Sequence, residues 1–134
     1  MLEITDSIII DRHSSEVLPW LVEGERLAKW WPIAAESECR EGGKLVFVWA
    51  NGSRLETHVT TFISEHISFP FGDEHVDFFL SDDESSTKLT VKHSNISPEP
   101  IEHVIHIAQS WAFLLCNLKS VMERGWDLRP SWTK

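Results

Sequence analysis

The chain has 134 residues, 42% of them apolar and 25% charged, which suits one globular domain, 1–134, with a sizeable core. Its 12 Lys and Arg face 21 Asp and Glu for a formal net charge of -9, and no basic run occurs, which argues against nucleic acid and anionic membrane surfaces as partners. Met1 to Asp6 has no basic stretch, and no run reaches the roughly 18 apolar residues of a membrane span, so neither a signal peptide nor membrane insertion is expected and the reading is cytoplasmic. Cys39 and Cys116 are too few for a disulfide framework or a zinc site and are read as buried, reduced thiols.

In chain order, Ile4, Ile8 and Ile10 alternate along Leu2 to Asp11, a strand. Ser14 or Ser15 caps a short helix to about Val22, in which Pro19 predicts a kink or a break. Gly24 separates it from a second short helix, Glu25 to Trp31, ended by Pro32. Six antiparallel strands follow: Glu36 to Arg40, Lys44 to Ala50, Arg54 to Ile63, His66 to Phe71, Glu74 to Leu80 and Thr87 to Asn95. Gly42-Gly43, Asn51-Gly52, Gly72-Asp73 and the acidic run from Asp82 mark the turns. The spacing predicts one antiparallel meander, with the first strand paired to the last. Pro100 then opens a long helix that Gly125 stops after Arg124. Its apolar arc, from Ile101 and Ile105 through Trp111 to Leu118, is far wider than one stripe and predicts a helix covered on most sides by a curved sheet. Asn117 falls on the narrow polar strip, and Phe113 lies outside the apolar arc.

This order of elements is that of an α+β helix-grip fold. Trp30-Trp31, Gly42-Gly43 before Leu45 to Trp49, the strand Thr87 to His93, and Trp111, Leu115, Leu118 and Glu123 to Gly125 on the last helix carry the resemblance further. Together they resemble the SRPBCC superfamily, which includes the START lipid-transfer domains. Within it the chain is most similar to small bacterial proteins related to the C-terminal domain of the activator of the heat-shock-protein-90 ATPase. Ser110 departs from the glycine usual before the helix tryptophan in that subfamily. The resemblance implies an internal cavity between sheet and helix, but no single chemistry.

No catalytic motif stands out: there is no Gly-x-Ser-x-Gly elbow and no phosphate loop. His103 and His106 are spaced unlike a zinc peptidase pair and read as solvated or capping. His93 continues the inward phase of Leu89 and Val91. It reads either as a sheet-end histidine bonded to a neighbour or as a polar group at the cavity mouth, with no paired nucleophile or orienting carboxylate evident for a general base. Seven Trp and no Tyr favour apolar area with one N–H donor each. Trp49 and Trp111 read as core or cavity wall, Trp30-Trp31 as closure of the lower core, and Trp126 and Trp132 as surface or partner contacts.

The expected function is therefore non-enzymatic binding of a small apolar or amphipathic ligand between sheet and helix. Phe47, Trp49, Thr57, Val59, Phe78, His93, Trp111 and Leu115 are its expected lining, with Trp111 central. No metal or cofactor is expected. A protein-interaction module, either a homodimer or a chaperone partner, is the alternative, and an enzyme of the cyclase or hydrolase kind is a third.

Overall fold

A computed structural model describes residues 1–131. In chain order it has β1 (Leu2–Ile10), α1 (Ser14–Val17), a 3-10 turn (Leu18–Leu21), α2 (Gly24–Leu27), β2 (Ala34–Ser37), β3 (Lys44–Val48) and β4 (Arg54–His58). Then come β5 (Thr61–Ile63), β6 (His66–Phe71), β7 (Glu74–Asp83), β8 (Ser86–Ile96) and α3 (Ile101–Arg124). Curved antiparallel sheets, short helices and one long C-terminal helix make this the helix-grip arrangement. Trp132 lies outside the described residues.

Every strand pair is antiparallel, and β1 pairs with β8 as the spacing predicts. The single meander is corrected to two sheets, β1-β8-β7-β6-β5 and β2-β3-β4. The division falls inside the segment read as one strand, Arg54 to Ile63. Val59 exchanges backbone hydrogen bonds with the β2–β3 turn, from its N–H to the Gly43 carbonyl (2.8 Å) and from the Gly42 N–H to its carbonyl (2.7 Å). The next residue, Thr60, donates instead to the Ser68 carbonyl at 2.8 Å. The chain thus leaves one sheet and joins the other within one residue, and fully buried Val59 pins the corner.

The helix pair is shorter than expected. Pro19 turns the end of the first into 3-10 geometry, consistent with its missing N–H. The cap is His13, whose Nδ1 accepts from the Ser15 N–H at 3.2 Å, rather than either serine. Gly24 opens α2 against β2, where a Cβ would run into the Ala35 carbonyl. Past Leu27 the chain no longer continues as α-helix, and the carbonyls of Ala28, Trp30, Trp31 and Pro32 need other partners.

Those partners come from the C-terminus. Gly125 adopts a left-handed conformation (φ 73°) and turns the chain back after α3. Arg129 then donates to the carbonyls of Ala28 (2.9 Å), Trp31 (3.1 Å) and Pro32 (2.9 Å) while pairing with Asp127 at 2.8 Å. Asn117 is fully buried, which corrects its placement on a polar strip. It donates to the Trp30 carbonyl and to Asp127, both at 3.1 Å, and accepts from the Leu128 N–H at 2.7 Å. A polar side chain on an otherwise apolar face is tolerated because each of its groups has a partner.

Two further expectations are corrected. Cys39 and Cys116 are both free but exposed: Cys39 follows β2 at φ 51°, and Cys116 faces outward on α3. α3 is covered on one side only, since Ile101, Ile105, Ala108 and Ala112 form an exposed row while Ile107, Trp111, Leu115 and Leu118 are buried. The sheets curve around the buried row without reaching the other. Phe113 is exposed, as its wheel position predicts, and Trp126 is exposed too.

The Asp127–Arg129–Asn117 cluster generates a pH dependence. Burial alone would raise the Asp127 carboxyl, but bonds from Arg129 and Asn117 outweigh it and lower its pKa from 3.8 to about 2. A carboxylate depressed in the folded state contributes stability that is full above its unfolded value and lost as pH falls through the folded one. Thermal melts should therefore show a loss between pH 3.8 and about 2 that Asp127→Asn removes. An identical acid limb in that variant would contradict the assignment.

Candidate functional site

Between the N-terminal half of α3 and the hairpin ends of both sheets lies a cavity of about 930 Å³. Its inner wall is aromatic: Trp31, Trp49, Phe71 and Trp111, extended by Leu55, Ile107 and Leu114. Its mouth is polar. The β3–β4 hairpin supplies Asn51, Ser53 and Arg54, the β6–β7 hairpin Asp73 and Glu74, and α3 His103, His106 and Ser110. Arg129 and Pro130 close one side.

Trp31 is the hub of this wall. Its ring centroid lies 4.9 Å from those of Phe47 and Trp111, 5.6 Å from Phe71 (stacked) and 5.9 Å from Trp49. Tilted and edge-to-face pairs at these separations are the favoured aromatic geometries. Trp30, beside it, turns the other way and is fully buried, its indole N–H on the Trp20 carbonyl at 2.9 Å. The two tryptophans thus divide the work expected of them together: Trp30 closes the core and Trp31 faces the cavity.

Of the residues expected to line the cavity, Trp49, His93 and Trp111 stand in its wall. Phe47, Val59, Phe78 and Leu115 lie behind it in the core. Thr57 is partly buried, its hydroxyl donating to the Pro70 carbonyl at 2.8 Å. Phe78 meets Trp111 edge-on at 5.7 Å, but Trp49 is separated from Trp111 by Trp31. Strand alternation predicts which side chains point inward; it does not distinguish those facing the cavity from those one layer deeper.

His93 is only 3% exposed and both of its ring nitrogens are engaged. Trp111 donates its indole N–H to Nδ1 at 2.9 Å. An indole only donates, so Nδ1 carries no proton, and Nε2–H donates to Glu74 Oε1 at 2.8 Å. Glu74 Oε2 takes the Nε2–H of His103 at 2.6 Å. The carboxylate missing from the sequence reading is therefore Glu74, and His103 is tied to the sheet rather than simply solvated. Glu74 was legible only through register: Val76 is the cross-strand partner of His93, and Glu74 lies two residues away on the same face, the diagonal position. Trp31 and Arg129 had no such signal, because loop and tail geometry places them, whereas Phe71, the last residue of β6, continues the inward phase of Ile67 and Phe69.

The electrostatics follow from these bonds. Burial pushes the His93 pKa down from 6.5 and outweighs the pull of Glu74. Burial would raise the Glu74 carboxyl, but the N–H bonds from His103 and His93 hold it below its ordinary range. Near neutral pH the pair is a neutral imidazole on a carboxylate. Because His93 has no free nitrogen, it holds Trp111 and Glu74 in place and is not a ready general base. Among the described residues, no group of three or more His, Cys, Asp and Glu is arranged to hold a metal ion. No helix among them is long and apolar enough to cross a membrane.

Nitrogen NMR of His93 should show the Nε2–H tautomer with a titration midpoint below 6.5. Acidification should lose the Trp111 indole bond, because protonation of Nδ1 removes its acceptor. The opposite tautomer, or a midpoint above 6.5, would contradict this geometry.

Comparison with known proteins places the fold. No curated protein matches the chain. Protein SSP2350 of Staphylococcus saprophyticus superposes with a TM-score of 0.87 at 16% identity, over 97% of this chain and 98% of that one. The Aha1 dimer of Colwellia psychrerythraea gives 0.83 at 25% identity, over 93% and 98%. CalU16 of Micromonospora echinospora gives 0.74 at 18%, over 97% and 78%. Residues 14–123, from α1 to the last turn of α3, match one family along their whole length, and the chain belongs to the Activator of Hsp90 ATPase homolog 1-like protein family.

Proposed function

We propose that residues 1–134 act as one domain that binds a small apolar or amphipathic molecule in the cavity between α3 and the sheets, without chemically converting it. The observation that carries this reading is the cavity itself: about 930 Å³, walled mainly by Trp31, Trp49, Phe71 and Trp111, with most of its polar groups at its mouth. Ligand sites are concave and mostly apolar, with few placed polar groups, and their volumes span this value. The engagement of both His93 nitrogens favours binding over catalysis.

An environment-sensitive apolar fluorophore, 1-anilinonaphthalene-8-sulfonate, titrated into the native protein should bind saturably at one site. Trp111→Ala should change that affinity and cost roughly 3–5 kcal/mol of stability, the usual range for truncating a buried aromatic. Saturable binding that Trp111→Ala leaves unchanged would place the dye elsewhere, and no binding to either protein would remove the pocket reading.

A second reading, a homodimer or a chaperone-binding module, is favoured by one separate feature. Ile101 and Ile105 are 56% and 49% exposed and continue into Ala108 and Ala112, an apolar row along α3 that the sheets leave open. A structural neighbour, the Colwellia psychrerythraea protein, is described as a dimer. If two copies meet through this row, sedimentation should give a dimer that Ile105→Glu converts to monomer with the melting temperature of the monomer fold retained. A wild-type chain that sediments as a monomer at every concentration would end the homodimer reading.

A further inference from the structure

The polar groups of the cavity differ in whether they are still free. Most of them are committed. Trp111 donates to His93, both His93 nitrogens are used, and each Glu74 oxygen takes an imidazole N–H. The Arg129 guanidinium is taken up by three carbonyls and Asp127. Two groups remain, the indole N–H donors of Trp31 and Trp49, which have no hydrogen-bond partner among the described residues. Neither is sealed in the core, since no buried side-chain nitrogen or oxygen there lacks a partner. An indole nitrogen donates and cannot accept.

The mouth adds to the same imbalance. Among the described residues Arg54 makes only a long contact to Glu56 at 3.5 Å, so its guanidinium retains donors there. Asn51 uses its carbonyl oxygen for the Ser53 N–H and hydroxyl, which leaves its NH₂ free. Among the described residues Asp73 is the one carboxylate on the rim outside the His93–Glu74–His103 chain. The inner acceptors, the Glu74 oxygens and the Trp31 carbonyl, are already engaged, so a buried ligand hydroxyl or amine would have to share one of them. A carbonyl oxygen would find a donor ready.

We infer that the cavity selects flat aromatic carbonyl compounds: molecules whose inner polar atoms are hydrogen-bond acceptors, met by the indole N–H groups of Trp31 and Trp49, and not hydroxyl or amino donors. This rests on the ligand-binding reading above and specifies its chemistry. Contact with the ring surfaces of Trp31, Trp49, Phe71 and Trp111 supplies the affinity, and the two N–H groups supply the choice. An acidic group, if the ligand carries one, is left at the mouth beside Arg54.

The test is an isosteric series that keeps ring and carboxylate constant: 9-fluorenone-2-carboxylate, fluorene-2-carboxylate and 9-hydroxyfluorene-2-carboxylate, each titrated calorimetrically into the full chain. The ketone should bind about fivefold to tenfold tighter than the other two, the worth of about one hydrogen bond. Trp31→Phe and Trp49→Phe keep an aromatic ring but remove the N–H, and one or both should abolish the ketone's advantage while all three compounds still bind. Trp49→Phe covers the case in which Trp31→Phe fails to fold. Equal binding of the three, tighter binding of the alcohol, or a preference that survives both substitutions would overturn the inference. If the anilinonaphthalene dye binds and the ketone shows no advantage, the donor argument alone fails. If neither dye nor fluorenes bind, the pocket reading fails with it.

Discussion

The fold depends on the attachment of the Arg129 guanidinium to the loop after α2. Four consecutive-turn carbonyls, of Ala28, Trp30, Trp31 and Pro32, are left without helical partners where α2 ends. Arg129 and Asn117 supply all four with donors from outside the loop. A guanidinium suits the task because its donors form a rigid planar fork that reaches several acceptors at once. Asp127 balances the charge so that the group can be buried, as a buried cation requires. This clamp sets the backbone of Trp30 and Trp31, and so determines which indole enters the core and which faces the cavity. It also joins distant parts of the chain, since Asn117 belongs to α3 while Trp30 and Trp31 lie far earlier in sequence.

The cavity follows from that placement. With Trp31 fixed between Phe47 and Trp111, the helix rests on an aromatic layer instead of sinking to the strands. Such rings carry large apolar area, and three of the four cavity-wall aromatics are tryptophans with an N–H to place. Trp111 spends its N–H on His93, and this single bond has two effects. It makes a histidine tolerable beside the core, and it fixes the tautomer that presents Nε2–H to Glu74. His103 on the first turn of α3 completes the chain from the other side, so the mouth of the cavity holds helix and β6–β7 hairpin together. The polar residues at this end are structural fasteners, holding the start of α3 to the β6–β7 hairpin.

Much of this architecture was legible in the sequence. Alternation placed the strands, Asn51-Gly52 and Gly72-Asp73 placed their turns, and Pro100 with Gly125 bounded the long helix. The inward phase of Trp49, His93 and Trp111 was legible for the same reason. What failed depended on relations between distant segments. Asn117 looked polar and exposed because its partners, Trp30 and Leu128, lie on either side in sequence and meet it only in the fold. Trp31 looked like plain core because nothing local reveals that Arg129 will hold its carbonyl. The division at Val59 and Thr60 was hidden because both halves have the same period, and only the change of partner from Gly43 to Ser68 separates them. The outer row of α3 misled for a different reason: a wide apolar arc reads as burial, whereas Ile101 and Ile105 face solvent in the single chain.

An apolar cavity in a folded protein must be held open by its own walls, because neighbouring side chains would otherwise fill it. Here the walls are rings braced against one another and against a hydrogen-bonded loop. Xenon occupies such space without hydrogen bonding, which makes it a direct probe of whether the space exists. In a crystal of the native protein equilibrated under xenon pressure, this account predicts a xenon site against Trp31 and Trp111, with Arg129 still on the Ala28, Trp31 and Pro32 carbonyls. A crystal without xenon there, in which α3 has closed onto the strands and side chains fill the gap between Trp111 and Trp49, would contradict it.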